Sequence, residues 1–128
     1  MPTSSAATGP PRTPAVLLRV YDPPIAGLYR VLVDGLWPRG ISRERAAIDE
    51  WLREIAPSAE LRTWFHHDPE RFAEFARRYR DELGEPPRAA ALAALGVRAR
   101  TRQLAIITAT KDIEHSHAAL LRDLVTGQ

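Results

Sequence analysis

The order of three short apolar runs constrains this chain most: two come before any helical pattern, and the third comes only after a long helical stretch. The first, residues 15–21 (AVLLRVY), is rich in Val and Leu and is closed by Asp22, Pro23 and Pro24, a strand with its breaker. The second, residues 29–33 (YRVLV), follows a Pro/Gly loop that ends at Gly27. The third, residues 103–108 (QLAIIT), has the unbroken, partly β-branched character of a strand buried on both faces.

Between the second and third runs the period changes from two to that of a helix. Ser42 is placed to cap a helix whose stripe is Ile48, Trp51, Leu52 and Ile55, stopped by Pro57. Ser58 caps a short helix with Leu61, Trp64 and Phe65. Asp68, Pro69 and Glu70 then restart the chain as a cap, a first-turn proline and an acid at the positive end. The next stripe is Phe72, Phe75, Tyr79 and Leu83, ended at Gly84. An Ala-rich helix is expected from about Arg88 to Leu95, ending near Gly96, and a last one over residues 113–125 with Leu121, Leu124 and Val125 on one face. The pattern predicts an α/β fold: a small three- to four-stranded mixed sheet with a parallel core pair, packed by about five helices. The second and third strands, joined through helices, pair in parallel by a right-handed crossover, whereas the short loop between the first two favours antiparallel neighbours.

A chain of 128 residues holds one core, so residues 15–128 are expected to form a single domain. Residues 1–14, rich in Ser, Thr, Pro and Gly, carry too little apolar surface to offset ordering entropy and read as a disordered tail. The absence of cysteine excludes disulfides, thiolate zinc sites, iron–sulfur clusters and cysteine nucleophiles. No apolar run approaches the roughly 20 residues of a membrane helix, so a cytoplasmic protein without a membrane partner is expected. The 18 basic and 16 acidic residues are interleaved, which keeps the mean field weak and gives nucleic acid no compositional support. Lys111 is the single lysine among those basic residues, which marks it for a specific role. Composition leaves the cofactor and the oligomeric state open.

Ligands of parallel sheets bind beyond the carboxyl ends of the strands, where loops diverge. Two segments qualify, Asp34 to Gly40 after the second strand and Thr108 to His117 after the third, and parallel pairing brings them together. The first offers a carboxylate, an indole and a guanidinium in Asp34, Trp37 and Arg39, suited to an anionic or planar ligand. Equally, Trp37 reads as core and Asp34 with Arg39 as a structural ion pair. In the second segment Lys111 and His115 stand at a helix start, where the dipole favours anions and a neutral imidazole. Asp112 reads as an N-cap and Glu114 as a first-turn acid. His115 and His117 resemble a metal pair, yet on a helix residues two apart point about 200° away from each other, so no metal site is assigned. His117 shares a face with Leu121 and Leu124 and reads as a half-buried, hydrogen-bonded histidine; His67 is a candidate ligand contact or a loop element. No P-loop, GxGxxG, GxSxG or HExxH pattern is present.

The segment Tyr29 to Gly40 (YRVLVDGLWPRG), followed by Ala56-Pro57-Ser58, residues 61–65 (LRTWF), residues 67–71 (HDPER), residues 75–79 (FARRY) and residues 111–118 (KDIEHSHA), resembles the bacterial YeaO-like branch of domain-of-unknown-function family 488. The likeness runs from about Val16 to Leu124. It implies a short α/β fold, with the Trp-Pro-Arg-Gly and Lys-Asp-x-Glu-His-x-His segments as signatures, and it implies no activity. The chain departs from the family pattern at Gly35, where arginine is usual, and at Ser116, where asparagine is usual, which puts in doubt any mechanism needing two guanidiniums in that loop.

These residues support two functions. One is an enzyme of acid/base or transfer type acting on a small polar or anionic substrate, with His115, Lys111 and Asp34 as catalytic groups and Arg39, Trp37, His67 and His117 binding the ligand. The other is a noncatalytic ligand-sensing or protein-interaction module that uses the same pocket or an aromatic patch around Trp64 and Phe65.

Overall fold

A computed structural model of the chain describes residues 14–126. The expected N-terminal tail, residues 1–14, lies outside the described residues except for Pro14. The strands are β1 (Val16–Arg19), β2 (Tyr29–Leu32), β3 (Glu50–Trp51) and β4 (Leu104–Thr108). The helices are α1 (Arg43–Ala46), α2 (Ala59–Phe65), α3 (Phe72–Leu83), α4 (Arg88–Thr101) and α5 (His117–Val125).

The sheet order is β1-β4-β2-β3, and every pair is parallel. The mixed sheet expected from the short first loop is therefore corrected. β4, apolar from Leu104 to Ile107 and buried at every position, takes the centre and separates β1 from β2. The loop over residues 20–28 consequently passes β4 and returns to the opposite end of the sheet instead of closing a hairpin. The parallel pairing of β2 with β4 is as expected, with Tyr29 opposite Leu104 and Leu32 opposite Ile107.

Side chains alternate across the sheet. Leu17, Val31, Val33, Leu104 and Ile106 face a large core made with α2, α3, α4 and α5. Leu32, Ala105, Ile107 and Val20 face a smaller core closed by Ala46 of α1 and the loops beside it. This division explains a second correction. The expected helix carrying Ile48, Trp51, Leu52 and Ile55 is instead α1, a left-handed turn at Ala47, strand β3 and a 3-10 turn at Arg53–Ile55. Ile48 and Trp51 pack on the small core while Leu52 and Ile55 join the large one, so helical spacing in the sequence marks residues that straddle the sheet.

α4 also differs from expectation, for it runs through Gly96 to Thr101. Ala91, Leu95 and Ala99, one turn apart, bury a continuous stripe, which outweighs a glycine penalty of about 1 kcal/mol. The last expected helix, residues 113–125, is broken at Ser116 into a 3-10 turn (Ile113–His115) and α5. Within the large core, Phe65, Phe75 and Tyr79 stack in succession, with centroids 4.3 Å and 5.8 Å apart. The buried Tyr79 hydroxyl donates to the Ile55 carbonyl.

Candidate functional site

Because β2 and β4 are parallel neighbours, the residues just beyond them leave the sheet side by side. Asp34, two residues beyond β2, accepts from the Thr108 hydroxyl at 2.7 Å through Oδ1 and from the Ala109 N–H at 2.8 Å through Oδ2. The first turn of α5 adds a third donor. His117 Nε2 stands 3.0 Å from the Val33 carbonyl and 3.3 Å from Asp34 Oδ1, so both acceptors require the proton on Nε2. Burial pushes the Asp34 carboxyl up, but the hydrogen bond and charge of His117 and the bonds from Ala109 and Thr108 outweigh it and hold the group below its ordinary value. The main chain of Asp34 is also engaged, since its carbonyl accepts from Trp51 Nε1 at 2.6 Å.

Ser116 sets the direction of α5. Its hydroxyl accepts from the Ala119 N–H at 3.3 Å and donates to the Ile113 carbonyl at 2.6 Å. The role expected of Asp112 is thereby corrected. Its carboxylate makes no cap and lies 2.8 Å from His115 Nδ1, whereas Glu114 holds Arg122 through two bonds of 3.1 Å. His115 belongs to the 3-10 turn and His117 to α5, and the two imidazoles have different partners: His115 lies edge-on to Phe72 at 5.3 Å, His117 edge-on to Tyr79 at 6.0 Å.

Beside this knot lies a cleft of about 470 Å³. Its lining includes Asp34, Trp37, Arg39, His67, His115 and His117, so six of the seven residues singled out in the sequence come together. Lys111, the seventh, is exposed and lies outside the lining. Asp34 and Arg39 form no ion pair; the carboxylate goes to His117 and the guanidinium stays at the exposed rim. Trp37 is half-buried and fixed: its Nε1 donates to the Ile41 carbonyl at 2.9 Å, Arg43 covers its ring at 4.2 Å, and Trp51 meets it edge-on at 5.5 Å. His67 adopts φ 52°, as does its neighbour His66 at φ 51°, a left-handed pair unusual outside glycine.

Arg62 and Pro57 also line the cleft and were not read from the sequence as site residues, and Phe65, read there with Trp64 as part of a docking patch, is instead almost fully buried beneath it. Phe65 belongs to a core stripe, and nothing local distinguishes Arg62 from the surface arginines of α3. Only the packing of α2 against the strand ends places it there. Among the described residues no three His, Asp or Glu side chains gather as a metal-binding group, and no helix is long and apolar enough to cross a membrane.

Fold and cleft define a small α/β protein with a parallel four-stranded sheet whose strand ends carry an Asp–Thr–His knot beside an open pocket. The chain belongs to the YeaO-like DUF488 family: residues 15–128 match the DUF488-N3i family model, described as an inactive DUF488-N3 subclade. The uncharacterized protein Rv3073c of Mycobacterium tuberculosis (strain ATCC 25618 / H37Rv) is 46% identical over 99 residues, covering 77% of this chain and 81% of the relative. The uncharacterized protein YeaO of Escherichia coli (strain K12) is 40% identical over 106 residues, covering 82% of this chain and 90% of YeaO. No solved structure matches the chain.

Proposed function

We propose that the chain is a noncatalytic module that binds a small anionic ligand in the cleft between the β2 and β4 loops. The observation that carries this reading is the state of Asp34. It is the one carboxylate in the lining, and both its oxygens are committed to Thr108, Ala109 and His117. Three donors on its roughly four acceptor positions, with the carboxyl held below its ordinary value, make it a weak proton acceptor. What the cleft keeps for a ligand is cationic: Arg39 and Arg62 line it, both are exposed, and neither makes an ion pair among the described residues. The description of the matched subclade as inactive agrees with this reading.

A second reading, acid/base catalysis, is favoured by one observation. Asp112 holds His115 Nδ1 at 2.8 Å and leaves Nε2 as the free ring nitrogen of an oriented imidazole. The experiment that separates the two is a thermal-shift screen of phosphates, nucleotides and carboxylates, followed by recovery of each stabilising compound after prolonged incubation. Stabilisation that is lost in Arg39→Ala and Arg62→Ala, with the ligand recovered unchanged, supports the binding module. Conversion of the ligand by the natural chain but not by His115→Ala overturns it in favour of the enzyme. Stabilisation unaffected by either arginine substitution removes the cleft from both.

A further inference from the structure

The chemistry of the walls goes further than an anion site and narrows the class of molecule the cleft takes. Building on the binding-module reading of this cleft, we propose that it holds a planar aromatic anion, ring inward, with its carboxylate or phosphate held at the mouth by Arg39 and Arg62.

The ring subsite comes from walls that are flat and fixed. Trp37 lines the cleft with its indole held in place, one ring face under Arg43 and Nε1 engaged by the Ile41 carbonyl. His115 is oriented by Asp112 and by its edge-on contact with Phe72, and His67 lies against Phe65 with centroids 6.2 Å apart. Deeper in, Phe65 and Phe75 are almost fully buried in their own stack, which gives the floor a rigid apolar character. Preformed flat walls favour a ligand that loses little rotamer freedom on binding, and a ring does so where a flexible acyl chain does not. A volume of about 470 Å³ accommodates one fused ring system with an anionic arm.

The anion subsite comes from the two guanidinium side chains that line the cleft. Arg39 and Arg62 reach it without an ion pair among the described residues, and Asp34, the one acid in the lining, already faces three donors. Two guanidiniums at the exposed rim above an apolar floor place the charge of the ligand outward and its ring inward. Leu36, 71% exposed at the same rim, adds apolar surface beside the mouth.

The test is an amide-resolved NMR titration of the full chain with four probes: indoleacetate, the neutral indoleacetamide, adenosine monophosphate and inorganic phosphate. The expected result is saturable shifts at the cleft with indoleacetate, with adenosine monophosphate, or with both, weakened about tenfold or more in Arg39→Ala or Arg62→Ala. The responding probe identifies the anion as carboxylate or phosphate. Both arginines are exposed and make no ion pair among the described residues, so the variants keep the fold, and matching spectra elsewhere verify it. Indoleacetamide binding as tightly as indoleacetate removes the anion subsite. Inorganic phosphate binding as tightly as adenosine monophosphate, with indoleacetate silent, removes the ring subsite. Either outcome overturns this inference and leaves the cleft a binding site of another class, whereas no cleft shift with any probe overturns both.

Discussion

His117 and Asp34 lie far apart in the chain, yet Nε2 of the one stands 3.3 Å from Oδ1 of the other, with the Val33 carbonyl sharing the same proton. The pair ties the first turn of α5 to the end of β2, and Thr108 and Ala109 tie the same carboxylate to the end of β4. Three elements meet on one side chain, which makes Asp34 structural before it is anything else.

Replacing Asp34 with Ala leaves the Ala109 N–H without its acceptor and the Thr108 hydroxyl and His117 Nε2–H with only their second ones, Thr110 Oγ1 and the Val33 carbonyl, and is expected to cost about 2–4 kcal/mol. Asp34→Asn keeps one acceptor and loses less. The carboxyl is held below its ordinary value in the folded chain, so its contribution is present above the unfolded value of about 3.9 and is lost as pH falls through the folded one. Urea denaturation is the check: the stability gap between the natural chain and Asp34→Asn should be wide at neutral pH and narrow below about pH 4. A gap independent of pH would show that the charge of Asp34 does not contribute.

Ser116 is 2% exposed and caps α5 at the point where the expected helix breaks. Ser116→Ala should destabilise by about 1 kcal/mol, read as a lower denaturation midpoint, and Ser116→Asn should retain much of the cap.

Gly96 sits in the interior of α4, and a methyl group there would meet only the Arg100 guanidinium, at 3.6 Å. Gly96→Ala is expected to stabilise the chain by about 0.5–1 kcal/mol through helix propensity and a less free unfolded state. A loss of stability would mean that α4 does not run through this position in solution.

His66 and His67 hold left-handed backbone in succession, and only His67 lines the cleft. His66→Gly and His67→Gly should each raise the unfolding free energy by about 0.5–1 kcal/mol, since glycine adopts this conformation freely. A cleft that uses the His67 ring predicts weaker ligand binding in the second variant alone, measured by titration calorimetry.

Legibility tracked how local each cause was. Ser58 accepting from Leu61 N–H, the Asp68-Pro69-Glu70 restart and the stripe of α3 depend on residues two to four apart, and all are found as read. The stretch from Ile48 to Ile55 failed because spacing of three and four suits a helix and also suits a chain that passes from one face of a sheet to the other. In the site, five of the six singled-out residues converge because they lie in the two loops after parallel neighbours, a relation that strand order alone implied, whereas His67 is brought in by the turn after α2. Arg62 escaped notice because its membership comes from where α2 packs and from nothing in its surroundings along the chain.

Amino-acid order alone settled which segments are strands in β1, β2 and β4, where most helices start, and that the loops after β2 and β4 share an edge, because propensity, capping and crossover rules act over short spans or on order itself. Tertiary packing decided the rest. β4, buried on both faces, took the centre of the sheet and made every pair parallel; the buried stripe of α4 carried the helix past a glycine; and Asp34, drawn among three donors by that sheet, became a joint instead of a partner for Arg39. These outcomes turn on burial and on satisfying polar groups across distant segments, quantities that exist only once the chain is folded.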